Sequence, residues 1–124
     1  MNKIKILIAD DHPMIRNRIR QILSDDPGLE VTSEAGTADE VMNVIRESPV
    51  DLIILDFHMP GPGGLKLLEQ IHQFYPHIRI LILTALSEGF IKTKLISAGA
   101  SGFISKENAS EELVNEIRRI FPEK

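Results

Sequence analysis

The chain has 124 residues, 43% of them hydrophobic and 26% charged, which fits one ordinary soluble domain and excludes a multidomain enzyme. Fourteen Lys and Arg against eighteen Asp and Glu give a net charge of −4, so no direct binding to nucleic acid or to an anionic membrane is expected, and a DNA-binding role needs a further domain. Cysteine is absent, which removes disulfides, thiolate nucleophiles and cysteine-ligated metal sites, and no stretch approaches the roughly 20 continuous apolar residues of a membrane span. The start, Met1-Asn2-Lys3-Ile4-Lys5, leads into a strand pattern rather than a signal peptide, so a cytoplasmic protein is expected.

In chain order, the apolar run Ile4 to Ala9 reads as a first strand, and Ile15, Ile19, Ile22 and Leu23 then recur at helical spacing until Asp25-Asp26-Pro27-Gly28 stops them. Leu29 to Ala35 is a second strand, followed by a helix carrying Ala38, Val41, Met42 and Ile45, which ends at Ser48-Pro49. Val50 to Leu55 is a third, and its helix presents Leu67, Leu68, Ile71 and Tyr75. Arg79 to Leu83 precedes a helix with Ile91, Leu95 and Ala98, and Ala100 to Ser105 precedes one with Leu113, Val114, Ile117 and Phe121. Five strand-helix units without a linker, with strands nearly continuous in apolar residues, specify an α/β fold whose parallel sheet is covered on both faces. Right-handed crossovers leave few topologies. We expect the doubly wound, flavodoxin-like (βα)5 order 2-1-3-4-5, with its ligand site beyond the carboxyl ends of strands one and three.

The residues following each strand converge on that rim: Asp10 and Asp11 after the first, Asp56 after the third, Thr84 after the fourth, Lys106 shortly after the fifth. Each has an ordinary explanation. Asp11 could cap the first helix ahead of Pro13, Thr84 could be a plain strand residue, and Lys106 a solvated surface group. Together they pose an electrostatic problem, because carboxylates about 4 Å apart at an effective dielectric near 20 repel by roughly 4 kcal/mol per pair. Something positive must sit among them. Oxygen donors with no cysteine and no histidine pair at helical spacing favour a hard dication, Mg2+ or Mn2+, over zinc. With Lys106 as a second cation, the arrangement suits phosphoryl transfer and makes Asp56 a candidate nucleophile of the aspartyl-phosphate kind.

The segments Ile6-Leu7-Ile8-Ala9-Asp10-Asp11, Asp51-Leu52-Ile53-Ile54-Leu55-Asp56 with Met59-Pro60-Gly61, Ile82-Leu83-Thr84-Ala85, and Gly99-Ala100 through Gly102-Phe103 to Lys106 resemble a response-regulator receiver domain of two-component signalling, from residue 3 to about residue 121. Asp11-His12-Pro13 and the stretch from Gly99 to Phe103 are similar to the NarL/FixJ subgroup, whose members usually carry a C-terminal helix-turn-helix domain. The resemblance implies that Asp56 accepts a phosphoryl group from a sensor histidine kinase and that Asp10, Asp11 and Asp56 hold Mg2+ with the backbone carbonyl of His58. It implies further that Thr84 donates its hydroxyl to the phosphoryl group, that Lys106 pairs with the phosphorylated carboxylate, and that Phe103 is the aromatic switch partner of Thr84. The chain, 1 to 124, is then a single receiver domain without an output domain, with an expected homodimer surface on the fourth helix, fifth strand and fifth helix. On this resemblance the receiver would be no enzyme in its own right and would catalyse only its own phosphorylation and dephosphorylation.

Several residues depart from the pattern. His58, two places after the nucleophile, and Leu86, two places after Thr84, are expected to tune hydrolysis by controlling an attacking water. Glu107 stands where many receivers have a proline, which puts a cis peptide after Lys106 in doubt. His12, His72 and His77 show no ligand spacing and read as surface residues. The glycine-rich loop Met59-Pro60-Gly61-Pro62-Gly63-Gly64 lacks the order of a phosphate-binding loop and turns the chain into the third helix, with Gly63 or Gly64 open to positive φ. Phe90, Ile91, Leu95 and Ile96 give the fourth helix surplus apolar surface. The rivals from other classes are a haloacid-dehalogenase-like phosphatase, which would need an acid at the position of His58, a flavodoxin-like cofactor binder, which Asp10-Asp11 would repel, and a phosphorylation-independent interaction module.

Overall fold

The computed structural model describes residues 2–59, 63–85 and 89–124, with the backbone alone at 89–91. Strands β1 (Ile4–Ala9), β2 (Leu29–Ala35), β3 (Leu52–Asp56), β4 (Arg79–Thr84) and β5 (Gly102–Ser105) alternate with helices α1 (Pro13–Leu23), α2 (Ala38–Glu47), α3 (Gly64–Phe74), α4 (Gly89–Ser97) and α5 (Ala109–Ile120). All paired strands are parallel, in the order β2-β1-β3-β4-β5. The expected topology is therefore the observed one.

Period-two alternation assigns the two faces. Ile4, Ile6, Ile8, Leu52, Ile54, Leu81 and Leu83 pack against Ile19 and Leu23 of α1 and Leu113 and Ile117 of α5. Leu7, Ile53, Leu55, Ile80 and Ile82 pack against Val41 and Ile45 of α2, Leu67, Leu68 and Ile71 of α3, and Leu95 of α4. The central strands β1, β3 and β4 are buried on both sides, so none of the three shows the polar alternation of a half-exposed sheet. At the edge, β2 does: its pattern alternates buried or half-buried with exposed, and a register shift opposite Ile6 and Leu7 bypasses Thr32.

Local chemistry sets the boundaries. Thr37 caps α2, its side chain accepting from the N–H of Glu40 at 3.1 Å while Glu40 Oε1 reaches back to the N–H of Gly36 at 2.8 Å. Strand β3 starts at Leu52 rather than Val50 because Asp51 closes the ladder itself, accepting from Lys5 N with its side chain and donating its own N–H to Lys5 O. Strand β5 starts at Gly102 because Ala100 N still donates to Leu95 O in the turn that ends α4. Gly99 makes that turn at φ +116° and is the single positive-φ glycine among the described residues. Gly63 and Gly64 are not at positive φ. Gly64 is needed for space instead, since a Cβ there would lie 2.5 Å from the Phe57 carbonyl oxygen.

The candidate acidic site

The site is assembled by strand ends. The N–H of Asp10 donates to Ala35 O at the end of β2, and the N–H of Phe57, directly after Asp56, donates to Leu83 O of β4, each at 2.9 Å. The backbone is thus fixed one residue past the strands, where side chains leave the core and meet at the rim. Asp10, Asp56 and Thr84 are the buried polar residues there, at 0%, 1% and 1% exposure. Lys106 opens a 3-10 turn (Lys106–Asn108) after β5 and extends back over them. Its Nζ lies 2.9 Å from Asp56 Oδ1 and 3.9 Å from Asp10 Oδ2. The same Asp56 oxygen accepts from the N–H of His58 at 3.0 Å.

Three carboxylates against one ammonium leave an excess of negative charge, and Asp10 Oδ2, Asp11 Oδ1 and Asp56 Oδ2 are buried oxygens that accept no hydrogen bond. An isolated buried charge is costly unless it is paired or ligates a metal. One ligand atom from each of Asp10, Asp11, His12 and Asp56 falls within 4.8 Å of the others. Hard oxygen donors at this spacing fit Mg2+ or Mn2+.

Of the residues singled out in the sequence, Asp10, Asp11, Asp56 and Lys106 are brought together, and Thr84 ends β4 beside them in the sheet. Phe103 lies on β5, half-buried, with Lys92 Nζ 4.5 Å from its ring centroid. The His58 ring is exposed and meets Phe57 edge-on at 5.4 Å. Leu86 and residues 60–62 lie outside the described residues, as do the side chains of Phe90 and Ile91. On the rest of α4, Leu95 is buried and Ile96 is half exposed. No described peptide bond is cis, that after Lys106 included.

One of the ordinary alternatives is removed. Asp11 is not the cap of α1: His12 holds that position, with Pro13 as the first helical residue, which leaves the Asp11 carboxylate to the rim. His12 is exposed, as a surface residue should be, yet its Nδ1 lies 3.0 Å from Asp10 Oδ1 and 3.1 Å from Asp11 Oδ1. Arg16 also escaped the sequence. It spans from α1 to Glu34 and donates to the Asp10 carbonyl at 2.6 Å, a contact between α1 and β1 that only folding creates.

A flavodoxin-like parallel sheet that gathers acids and one lysine at the carboxyl ends of β1, β3 and β5 is the architecture of a phosphoacceptor signalling domain rather than of a cofactor binder. Residues 6–118 match the response regulator receiver domain, and the chain belongs to that family. It is 35% identical over 118 residues to the response regulator GacA of Pseudomonas aeruginosa and 36% identical over 118 residues to the response regulator UvrY of Escherichia coli K12. Those alignments take in 95% of this chain and 55% and 54% of the relatives, so the chain spans about half the length of the curated relatives it matches. Among solved structures, the non-phosphorylated receiver domain of the stress response regulator RcsB from Escherichia coli superposes with a TM-score of 0.92 at 25% identity, covering 99% of this chain and 96% of that one. A LuxR-family response regulator from Aurantimonas gives 0.91 at 34% identity, covering 99% and 88%. The phosphatase and cofactor-binder alternatives are set aside by this membership.

Proposed function

We propose that Asp56 is the phosphoacceptor of a Mg2+-dependent receiver that takes its phosphoryl group from a phosphohistidine of a sensor histidine kinase. The supporting observation is the buried meeting of Asp56 with Asp10 and Lys106, in which carboxylate oxygens lack hydrogen-bond donors. Two donors, Lys106 Nζ and the His58 N–H, hold Asp56 Oδ1 and leave Oδ2 with free lone pairs. A carboxylate oxygen attacks phosphorus, the bond to the donor imidazole breaks with its electron pair, and an acyl phosphate forms. Asp10, Asp11, Asp56 and the His58 backbone carbonyl would hold a divalent ion, which would supply charge neutralisation for the incoming phosphoryl oxygens. Lys106 adds a fixed positive charge in a site that excludes much of the water, where such a charge acts strongly. The Thr84 hydroxyl hydrogen-bonds a phosphoryl oxygen, and Phe103 repacks in response, giving a surface with two states biased by the modification.

In this reading residues 1–124 are the receiver unit of a regulator that controls transcription through a DNA-binding domain. The unit dimerises through α4, β5 and α5, where Lys92, Ile96, Phe103, Glu116 and Arg119 line one shared groove. Among the described residues no helix is long and apolar enough to cross a membrane. Incubation with acetyl phosphate and Mg2+, followed by intact-mass measurement, tests the chemistry. The native chain should gain one acid-stable, base-labile phosphoryl group, and Asp56→Asn or removal of Mg2+ should abolish it. A phosphoryl group mapped to any other residue would overturn the reading.

A further inference from the structure

We propose that His12 is a nitrogen ligand of the divalent ion in the acidic site, so that the site binds nitrogen-preferring ions such as Co2+ more tightly than an all-oxygen set would. The inference rests on the metal site proposed above and adds to it the ligand that sets ion preference.

Geometry carries it. Two adjacent ligands of an octahedral ion with bonds of about 2.1 Å are about 3.0 Å apart. Nδ1 of His12 sits 3.0 Å from Asp10 Oδ1 and 3.1 Å from Asp11 Oδ1, which is that spacing to two carboxylates at once. The same distance also suits a hydrogen bond from Nδ1–H to Asp10 Oδ1. With the ring proton on Nε2 instead, the Nδ1 lone pair faces the acids, and the exposed side of the ring gives Nε2–H water to donate to.

The backbone that carries the ring is also held in place. As the cap of α1, His12 donates its N–H to Asp10 Oδ1 at 2.8 Å, and its carbonyl accepts from Ile15 and Arg16 at 3.0 and 3.1 Å. Buried oxygens without hydrogen bonds on Asp10 and Asp56, which are 0% and 1% exposed, mark the space the ion would fill. An imidazole in place of a water shifts preference along the series from Mg2+ and Mn2+ toward Co2+, Ni2+ and Zn2+.

Two direct binding measurements test this on the full chain. Pulsed EPR of bound Mn2+ should show nitrogen-14 coupling from an imidazole in the native chain and in His58→Ala, and none in His12→Ala. Calorimetric titration should show His12→Ala losing about tenfold or more in Co2+ affinity while its Mg2+ affinity changes less than about threefold. Preserved Mg2+ binding also shows that the variant is folded. Nitrogen coupling that persists in His12→Ala, or an unchanged Co2+ affinity, overturns the role of His12 and leaves the acidic metal site standing. Mg2+ affinity that is indifferent to Asp11→Asn and Asp56→Asn removes the metal site itself, and the role of His12 with it.

Discussion

Lys106 has two opposed effects at the residue scale, and both can be measured. Its ammonium lies 2.9 Å from Asp56, so in the proposed site it would compete with a metal for the same negative charge while stabilising charge on a transferring phosphoryl group. Lys106→Met should therefore bind Mg2+ more tightly by calorimetry and be phosphorylated by acetyl phosphate about 100-fold more slowly, the scale of losing one preorganised charge-stabilising donor. The acid cluster shows the complementary trade. Asp11→Asn removes a like charge and should raise the metal-free melting temperature, whereas in saturating Mg2+ the native chain should be the more stable, having kept a ligand. His58, whose N–H holds Asp56 and whose ring is exposed beside the site, is the residue to vary for lifetime. His58→Asn and His58→Ala should change the dephosphorylation rate of the loaded chain, and equal rates would remove it from control of the attacking water.

The elements hold this rim in place mainly through close approaches that composition does not reveal. Gly64 opens α3 where a Cβ would meet Phe57 O at 2.5 Å and Phe57 Cδ1 at 2.9 Å, so the helix start is fitted onto the turn that carries Phe57 and His58. Gly64→Ala should lower unfolding free energy by about 2 kcal/mol in urea titration and weaken Mg2+ binding, because relief of the clash must move that turn. Gly99, at φ +116° with His72 Cγ 2.4 Å from a built Cβ, should cost as much when changed to Ala, but far from the acids it should leave Mg2+ affinity unchanged. Element types and their order were legible because strand runs and helical spacing repeat five times. Ends were less so: Asp51 and Ala100 read as strand by hydrophobic neighbourhood, and hydrogen bonds to Lys5, distant in sequence, and to Leu95, in the turn that ends α4, decide otherwise.

Across the whole molecule, the ion of the proposed site and long-range ion pairs are the expected levers on stability. Mg2+ at ten times its dissociation constant should add about 1.4 kcal/mol and raise the melting temperature by about 5 °C, and chelation should reverse it. Arg118 of α5 reaches Asp26 in the α1-β2 connection, and that guanidinium, with the Gly28 N–H, holds the Asp26 carboxyl below its ordinary range. A depressed carboxyl contributes stability above the ordinary aspartate value and loses it as pH falls through the folded value. Asp26→Asn should cost about 0.5–1 kcal/mol at pH 7, in keeping with a partly exposed pair, and the gap from the native chain should close below about pH 4. The sequence alone determined the five strand-helix units, the two-sided core and the rim that Asp10, Asp11, Asp56, Thr84 and Lys106 share, because periodicity and right-handed crossovers leave almost no other arrangement. Tertiary structure alone decided that His12 rather than Asp11 caps α1, that Nδ1 of His12 faces two carboxylates, and that Arg16 grips the Asp10 carbonyl. Such contacts depend on distances of about 3 Å between residues whose separation is set by how strands and helices pack, and a linear pattern carries no ruler for that.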